Sequence, residues 1–439
     1  MKVLLVNSPQ FEFHTAAGRA RGQLDLLPPL HLGYLAAVAE KRGAECRIFD
    51  LGALDISLET VTETITSWQP EIVGISSTTL SFPNALRIAQ VVKQVRPQTF
   101  TILGGCHVTF TASKTLDTHK QVDIIVRGEG EETFAELLDC LDGRDGLARV
   151  NGISYRNSDG AVAHAPSRDF IQDLDSLPWP ARRLMQLEKY RGGAGALFTS
   201  RGCPHACAFC AATAMSGRRY RSRSPQFVVD EIQHLVKQYG CRRVTFLDDT
   251  FTALPTRLTI PVCREIMRRG LDVSFGCESR ADIISPKLVD ELQRAGCIAI
   301  HFGVESGSQE ILNRMRKGIT LDQVRNAVHW SAEAGLEVYC SVILGLPGET
   351  EATAHQTREF LLELRERGAK KIIVELLVPF PGTDLYEHPE GHGLVIHEAD
   401  WGKFNTRLPI VSTAELSRER LRELYVELTF DLQMGITRR

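Results

Sequence analysis

Excess charge is the first thing missing: 51 Lys and Arg stand against 54 Asp and Glu, a formal net charge of −3. Without a basic stripe there is no electrostatic footprint for nucleic acid. Nothing approaches the roughly 18 consecutive apolar residues that a membrane span needs. The opening Met1-Lys2-Val3-Leu4-Leu5-Val6-Asn7-Ser8-Pro9 holds too short an apolar run for a secretory leader and lacks a small-residue cleavage site. These absences predict a cytoplasmic chain with no membrane and no nucleic-acid partner. Low-complexity tracts and internal repeats are also missing, so the 439 residues are expected to form two or three domains with cores of their own.

Cysteine is present and unevenly placed. Eight of the 11 cysteines, Cys46, Cys106, Cys140, Cys241, Cys263, Cys277, Cys297 and Cys340, are scattered singly and read as small buried hydrophobes. The other three fall in Ser200-Arg201-Gly202-Cys203-Pro204-His205-Ala206-Cys207-Ala208-Phe209-Cys210, spaced C-x₃-C-x₂-C. Cytosolic thiols stay reduced, so such a group points to metal rather than to disulfides. A four-iron cluster normally takes four thiolates. Three, with no fourth nearby, leave one iron open, and an open position separates a reactive metal site from a closed structural one. A zinc knuckle completed by His205 is the plainer alternative, but His205 lies within the same short loop and is poorly placed to converge.

Around this loop the chain alternates strands and helices. Residues 1–145 carry short apolar strands near 3–6, 46–50, 71–76, 99–103 and 123–127, with amphipathic helices between them. That pattern predicts an α/β, doubly wound, Rossmann-like parallel sheet. Each strand ends in a polar or Gly-rich turn: Asn7-Ser8-Pro9, Ser76-Ser77-Thr78-Thr79, Gly104-Gly105-Cys106-His107, Gly128-Glu129-Gly130. Ligands of such sheets sit at the carboxyl ends of the strands, so together the turns suggest a bound cofactor. Residues 146–190 read as a linker with a small hairpin. Residues 191–385 hold six βα-type units, with strands near 196–200, 244–248, 272–277, 298–304, 337–344 and 371–377. Six is fewer than the eight of a closed barrel, so a partial (βα)6 TIM-like barrel is expected, with the cysteines in the loop after its first strand. Residues 386–439 are expected to be a helical extension, with an Arg- and Glu-rich amphipathic helix from Ala414 to Leu432.

The segment Gly202 to Cys210 resembles the radical S-adenosylmethionine signature. That resemblance implies a 4Fe-4S cluster on Cys203, Cys207 and Cys210, S-adenosylmethionine chelating the fourth iron, and reductive cleavage to a 5′-deoxyadenosyl radical. Phe246-Leu247-Asp248-Asp249-Thr250-Phe251, Gly303-Val304-Glu305-Ser306-Gly307-Ser308, Gly345-Leu346-Pro347-Gly348-Glu349-Thr350 and Val378-Pro379-Phe380-Pro381-Gly382-Thr383 resemble the later segments of that family, in order. They imply S-adenosylmethionine contacts at Phe209, Asp248, Glu305, Ser306, Gly345, Gly348 and Val378. A sulfonium and an amine call for a carboxylate and hydroxyls, as at Glu305 and Ser306. A flat adenine against backbone calls for glycine, as at Gly345 and Gly348.

Residues from about 1 to 390 resemble the cobalamin-dependent radical methyltransferases and anaerobic ring-forming cyclases. The resemblance includes Pro28-Pro29-Leu30-His31-Leu32-Gly33-Tyr34-Leu35 and Arg127-Gly128-Glu129-Gly130-Glu131-Glu132-Thr133-Phe134. It implies cobalamin across the carboxyl edge of the first sheet, with Ser76, Ser77, Thr78, Gly104, Gly105, His107, Gly128, Glu129 and Gly130 as contacts. The Asp-x-His-x-x-Gly loop that supplies a lower axial histidine in many cobalamin proteins is missing. His14, within Glu12-Phe13-His14-Thr15-Ala16-Ala17-Gly18, is only a shadow of it. The expected reaction is methyl transfer to an unactivated carbon or a phosphinate phosphorus of a small molecule. Expected partners are that substrate and an electron donor such as flavodoxin or ferredoxin, with the chain a monomer. Cyclisation or rearrangement without methylation is the alternative. A methylthiotransferase needs Cys46, Cys106 and Cys140 to converge on a second cluster, and a non-catalytic cobalamin or redox sensor leaves the later motifs unexplained. Asp249, Glu278, Arg280, Tyr339 and Cys340 are candidate barrel-mouth residues, for which ordinary packing or ion pairing is an equal reading.

Overall fold

Val3, Leu4, Leu5 and Val6 have no exposed surface, as expected of a parallel strand covered by helices on both faces. In the computed structural model, which describes residues 1–10, 27–54, 56–141, 144–157, 159–190 and 194–434, this strand (β1, Lys2–Asn7) centres the first of two units, Met1–Ala196 and Leu197–Arg439. It pairs in parallel with β2 (Glu45–Asp50) on one side and β3 (Ile72–Ser76) on the other. Beyond β3 come β4 (Phe100–Gly104) and β5 (Ile124–Val126), both parallel. The order 2-1-3-4-5 reverses direction between β1 and β3, the switch point at which doubly wound sheets bind ligands. The helices bury one stripe each. Phe82–Val95 buries Phe82, Ala85, Ile88, Ala89 and Val92, the i, i+3, i+4 spacing of a core-facing helix.

The expected linker belongs to this unit. Its hairpin, β6 (Ile153–Arg156) and β7 (Val162–His164), continues the sheet past β5 in antiparallel sense. Arg127 fastens it: its backbone N–H donates to the Gly152 carbonyl at 2.8 Å, and its guanidinium donates to the carbonyls of Ile153 and Ala165. Edge pairing to a distant strand leaves no trace in local composition, which is why 146–190 reads as a connector. His14 lies outside the described residues.

In the second unit, strands run in chain order across one six-stranded sheet: β8 (Ala196–Leu197), β11 (Arg243–Phe246), β12 (Ser274–Ser279), β13 (Cys297–Glu305), β14 (Glu337–Leu344) and β15 (Ala369–Leu376). From β11 to β15 every neighbouring pair is parallel. Crossover helices separate the strands, several started by a hydroxyl cap such as Ser224, Ser285, Thr320 or Thr350 accepting a first-turn N–H. Burial alternates along β13 and β14: Ile300, Phe302, Val304, Val338, Cys340 and Val342 are buried, while His301, Gly303, Tyr339 and Ser341 keep exposed surface. The second set lines the interior of a partial (βα)6 barrel.

The C-terminal region is less purely helical than expected. A small antiparallel ribbon, β16 (Leu394–Ile396) with β17 (Val411–Thr413), precedes the helix Arg418–Met434. Three-residue strands are too short to show a period. That helix is tied down by a buried ion pair, Arg358 Nε to Asp431 Oδ2 at 2.8 Å.

Candidate active site

The cysteine loop is closed at its base by a two-stranded ribbon, β9 (Ser200–Arg201) with β10 (Arg221–Ser222). Gly202 sits at the crossing with φ +88°, and a Cβ there would lie 2.5 Å from the Arg219 carbonyl oxygen. No other residue fits this approach. The middle of the loop is pinned into the core. Ala208 has no exposed surface, its N–H donates to the Met315 carbonyl (3.1 Å), and its carbonyl accepts from Leu385 N–H (3.3 Å). It packs with Ile311, Met315, Leu346, Val378 and Leu385. With Ala208 anchored inward, Cys203 and Cys207 are half-buried, Cys210 is exposed, and none of the three is in a disulfide.

Enclosing protein raises the Cys207 thiol, opposed by Lys317 and Arg280, and burial pushes Cys210 up to about 11. Asp249 is likewise exposed to solvent yet raised by burial. Among the described residues no three His, Cys, Asp or Glu converge on a single metal ion. Three thiols in one loop, none in a disulfide, instead suit the wider spread of an iron–sulfur cluster, whose ligands are thiolates.

Glu305 stands beside this loop in an unusual backbone state. It is a non-glycine residue at φ +68°, at an irregularity in the β13–β14 register, and its Oε1 accepts from Lys317 Nζ at 2.7 Å. Lys317 Nζ lies 5.8 Å from the centroid of the Phe209 ring. Gly303 makes room: a Cβ there would sit 2.4 Å from Glu305 Oε1 and 3.1 Å from Lys317 Nζ. Arg280 Nη2 donates to the Lys317 carbonyl at 2.8 Å.

Several expected contacts turn out to be braces. Both carboxylate oxygens of Asp248 are occupied: Oδ1 accepts from Thr199 N–H (2.9 Å) and Ser200 Oγ (2.7 Å), Oδ2 from Thr199 Oγ1 (2.9 Å). Burial pushes this carboxyl up to about 6, against those hydrogen bonds. Asp248 thus fixes the strand that leads into the cysteine loop. Ser306 is fully buried, with its hydroxyl 3.2 Å from Thr357 Oγ1 and accepting from Ser308 N–H. The space beside Gly345 is filled by Leu421 and that beside Gly348 by the Arg314 guanidinium. The two glycines answer first to packing, and only their backbone can meet a cofactor. The side chain of Val378 is likewise in the core. Glu349, fully buried, accepts from Gly345 N–H at 2.6 Å and is pushed up to about 7 by burial.

In the first unit the candidate residues gather at the carboxyl ends of β3, β4 and β5. Ser77 N–H donates to the Gly104 carbonyl (2.8 Å), and Gly105, at φ +113°, passes so close that a Cβ would meet the Ser77 oxygen at 2.4 Å. Ser77 and His107 are buried, while Ser76, Thr78, Gly104, Gly105, Gly128, Glu129 and Gly130 keep exposed surface. His107 Nδ1 is 3.2 Å from Thr79 Oγ1, its ring centroid 4.3 Å from that of Phe82, and burial pushes it down to about 4. It is therefore a neutral ring inside the unit and holds the turn from behind. Glu129 Oε2 accepts from Ile171 N–H at 2.7 Å, a tie to the segment after β7. Beside Gly128 a Cβ would have no heavy atom within 4 Å. Small residues and open space along this edge fit a broad, flat ligand such as a corrin.

Nothing in the local sequence pattern signals Lys317, Thr357 or Arg314. Lys317 comes 12 residues after Glu305, and only the fold brings the two together.

Comparison with known proteins agrees with this geometry. Residues 197–361 match the radical SAM superfamily, and residues 24–138 match the B12 binding domain. The chain is 34% identical over 432 residues to an uncharacterised methyltransferase from Pyrococcus horikoshii, covering 97% of this chain and 90% of that protein. It is 32% identical to the anaerobic magnesium-protoporphyrin IX monomethyl ester cyclase of Rubrivivax gelatinosus, covering 96% and 75%. Among solved structures, the radical S-adenosylmethionine methyltransferase TsrM from Kitasatospora setae, with cobalamin and [4Fe-4S] cluster bound, superposes with a TM-score of 0.77 at 19% identity, covering 99% of this chain and 89% of that one. At that identity the match speaks for the fold. The chain belongs to the cobalamin-binding radical S-adenosylmethionine enzymes. It is an enzyme whose cofactors are a 4Fe-4S cluster, S-adenosylmethionine and cobalamin. Among the described residues, no helix is long and apolar enough to cross a membrane.

Proposed function

We propose that the chain is a cobalamin-dependent radical methyltransferase that adds a methyl group to an unactivated carbon, or a phosphinate phosphorus, of a small molecule. The observation that carries this reading is the meeting of Phe209, inside the cysteine loop, with Lys317 and Glu305, drawn from separate segments of the barrel. When bound, the cluster with S-adenosylmethionine supplies hydrogen abstraction, and cobalamin supplies the methyl group. The chain's own residues bind and orient. Cys203, Cys207 and Cys210 provide three thiolates and leave one iron open. Glu305 offers a carboxylate for the methionyl amine, Phe209 an apolar wall, and Gly345, Gly348 and Val378 backbone for the adenine. Asp248 and Ser306 hold those segments from behind. In the first unit, Ser76, Thr78, Gly104, Gly105, Gly128, Glu129 and Gly130 form the edge for the corrin, with Ser77 and His107 supporting it. A flavodoxin or ferredoxin delivers the electron, and the chain works as a monomer.

Purified protein, reconstituted anaerobically with iron, sulfide and cobalamin and given S-adenosylmethionine and reductant, should form both 5′-deoxyadenosine and S-adenosylhomocysteine. Formation of 5′-deoxyadenosine without S-adenosylhomocysteine on any accepted substrate would contradict methyl transfer. That outcome favours the second reading, cyclisation or rearrangement without net methylation, which the relation to the Rubrivivax gelatinosus cyclase supports. A gain of one methylene in product mass, or none, separates the two. A methylthiotransferase has less support, since Cys46 is buried in β2 with its thiol 3.9 Å from the Ala36 carbonyl, whereas Cys140 ends the helix Glu131–Cys140.

A further inference from the structure

We propose that Lys317 sets the reduction potential of the cluster held by Cys203, Cys207 and Cys210, with Glu305 as its counter-charge. The assignment rests on the reading that these three cysteines carry the cluster, and it concerns a residue to which no role is otherwise given.

Lys317 is only 7% exposed. A buried ammonium needs a partner, because an unpaired charge taken out of water is strongly destabilising. Glu305 is that partner, and the pair is held by unusual means. Among the described residues, non-glycine positive φ occurs at Gln69, Glu305 and Arg316. The last two are Glu305 itself and the residue before Lys317, and Gly318, the residue after, is at φ +68°. A non-glycine residue in this region is strained and persists only where the surroundings over-determine it. Gly303 leaves the space for both charged ends. Arg280, paired with Asp282, holds the backbone of Lys317 from the other side.

The side chain so placed points at the cysteine loop. Its Nζ lies 5.8 Å from the centroid of Phe209, the residue before Cys210. Reduction adds one electron, hence one negative charge, to a cluster in this surrounding. A neighbouring cation favours the reduced form and a neighbouring anion the oxidised form, and nearby charge is among the levers that set cluster potentials. Lys317 and Glu305 therefore act with opposite sign, and removing one exposes the other.

The test is a redox titration of the cluster in the full chain, followed by electron paramagnetic resonance in the absence of S-adenosylmethionine. Lys317→Met should move the midpoint negative, lowering the reduced-to-oxidised ratio at the wild-type midpoint by roughly tenfold. Glu305→Gln should move it positive, and Lys317→Arg should leave it near wild type. Shifts of the same sign, or none, in variants with wild-type iron content overturn the proposal. If Lys317→Met takes up no iron, the positive shift in Glu305→Gln is still required, and its absence overturns the proposal by itself. A wild-type chain that binds no iron overturns the cysteine reading, and this assignment with it.

Discussion

The carboxyl edges of the two sheets are built from different materials. In the first unit the edge is mostly small and uncharged: Ser76, Thr78, Gly104, Gly105 and Gly128, backed by a neutral His107, with one carboxylate, Glu129, tied to the Ile171 N–H. In the second unit the corresponding region is charged and conformationally strained: Glu305 paired with Lys317, Arg280 with Asp282, and a buried Asp248. A neutral, open ledge suits a large ligand recognised by shape and backbone. A charged, enclosed mouth suits a cationic cofactor and a centre that changes charge in each turnover. One chain has solved two binding problems with the same strand–helix grammar and opposite electrostatics.

The largest break in this comparison is Cys207→Ala. It removes one of three thiolates, and iron content and 5′-deoxyadenosine formation should fall to background while cobalamin is retained. Loss of cobalamin in parallel would mean that the two edges are not separable. Next is Gly105→Ala, where a Cβ at φ +113° meets the Ser77 oxygen at 2.4 Å. It should destabilise by about 2–4 kcal/mol and lower cobalt content, while the cluster spectrum stays as in wild type. Unfolding curves and metal analysis of the same sample check both parts.

Asp248→Ala strips acceptors from two backbone N–H groups and two hydroxyls around Thr199 and Ser200. A loss of about 2–3 kcal/mol is expected, whereas Asp248→Asn, which keeps one acceptor oxygen, should cost about half as much. Equal losses in the two variants would remove the bracing role argued for this carboxylate.

The smallest effect is the most telling about the contrast. His107 titrates near 4 in the folded chain, below its ordinary 6.5, so the unfolded chain binds a proton first as pH falls. Its contribution is lost on acidification between about pH 6.5 and 4. Glu349 titrates near 7, above its ordinary 4.5, so its contribution is present below about 4.5 and lost as pH rises through about 7. His107→Gln should flatten the acid side of the stability profile and Glu349→Gln the neutral-to-alkaline side. Each effect is about 1.4 kcal/mol per pH unit within its window. Melts from pH 4 to 8 decide, and a flattening on the wrong side would contradict the burial argument.

How legible this was in the sequence differed between the two edges. The parallel strands announced themselves, because Val3-Leu4-Leu5-Val6 and Ile72 to Ser76 are continuous apolar runs closed by polar turns. The cysteine spacing gave the metal site directly, since ligands within one loop are neighbours in sequence. The bracing hydrogen bonds of Asp248 and Ser306 were not legible, because a motif shows which residues recur near a site, not which backbone groups their side chains hold. Lys317 was invisible because its partner lies on β13 and its own position is set by a left-handed turn at Arg316 and Gly318. The hairpin of 153–164 was legible from its turn residues, but its place in the first sheet was not, because its partner β5 lies about 30 residues away.

The central claim is that one chain holds both cofactors, each at its own edge. It is tested most directly by measuring iron and cobalt on the same sample of the full chain, reconstituted anaerobically with cobalamin, for wild type and Cys207→Ala. The account predicts about four irons per chain with stoichiometric cobalt in wild type, and cobalt without iron in the variant. Wild-type protein that holds iron but no cobalt, or about eight irons as a second cluster requires, would contradict it.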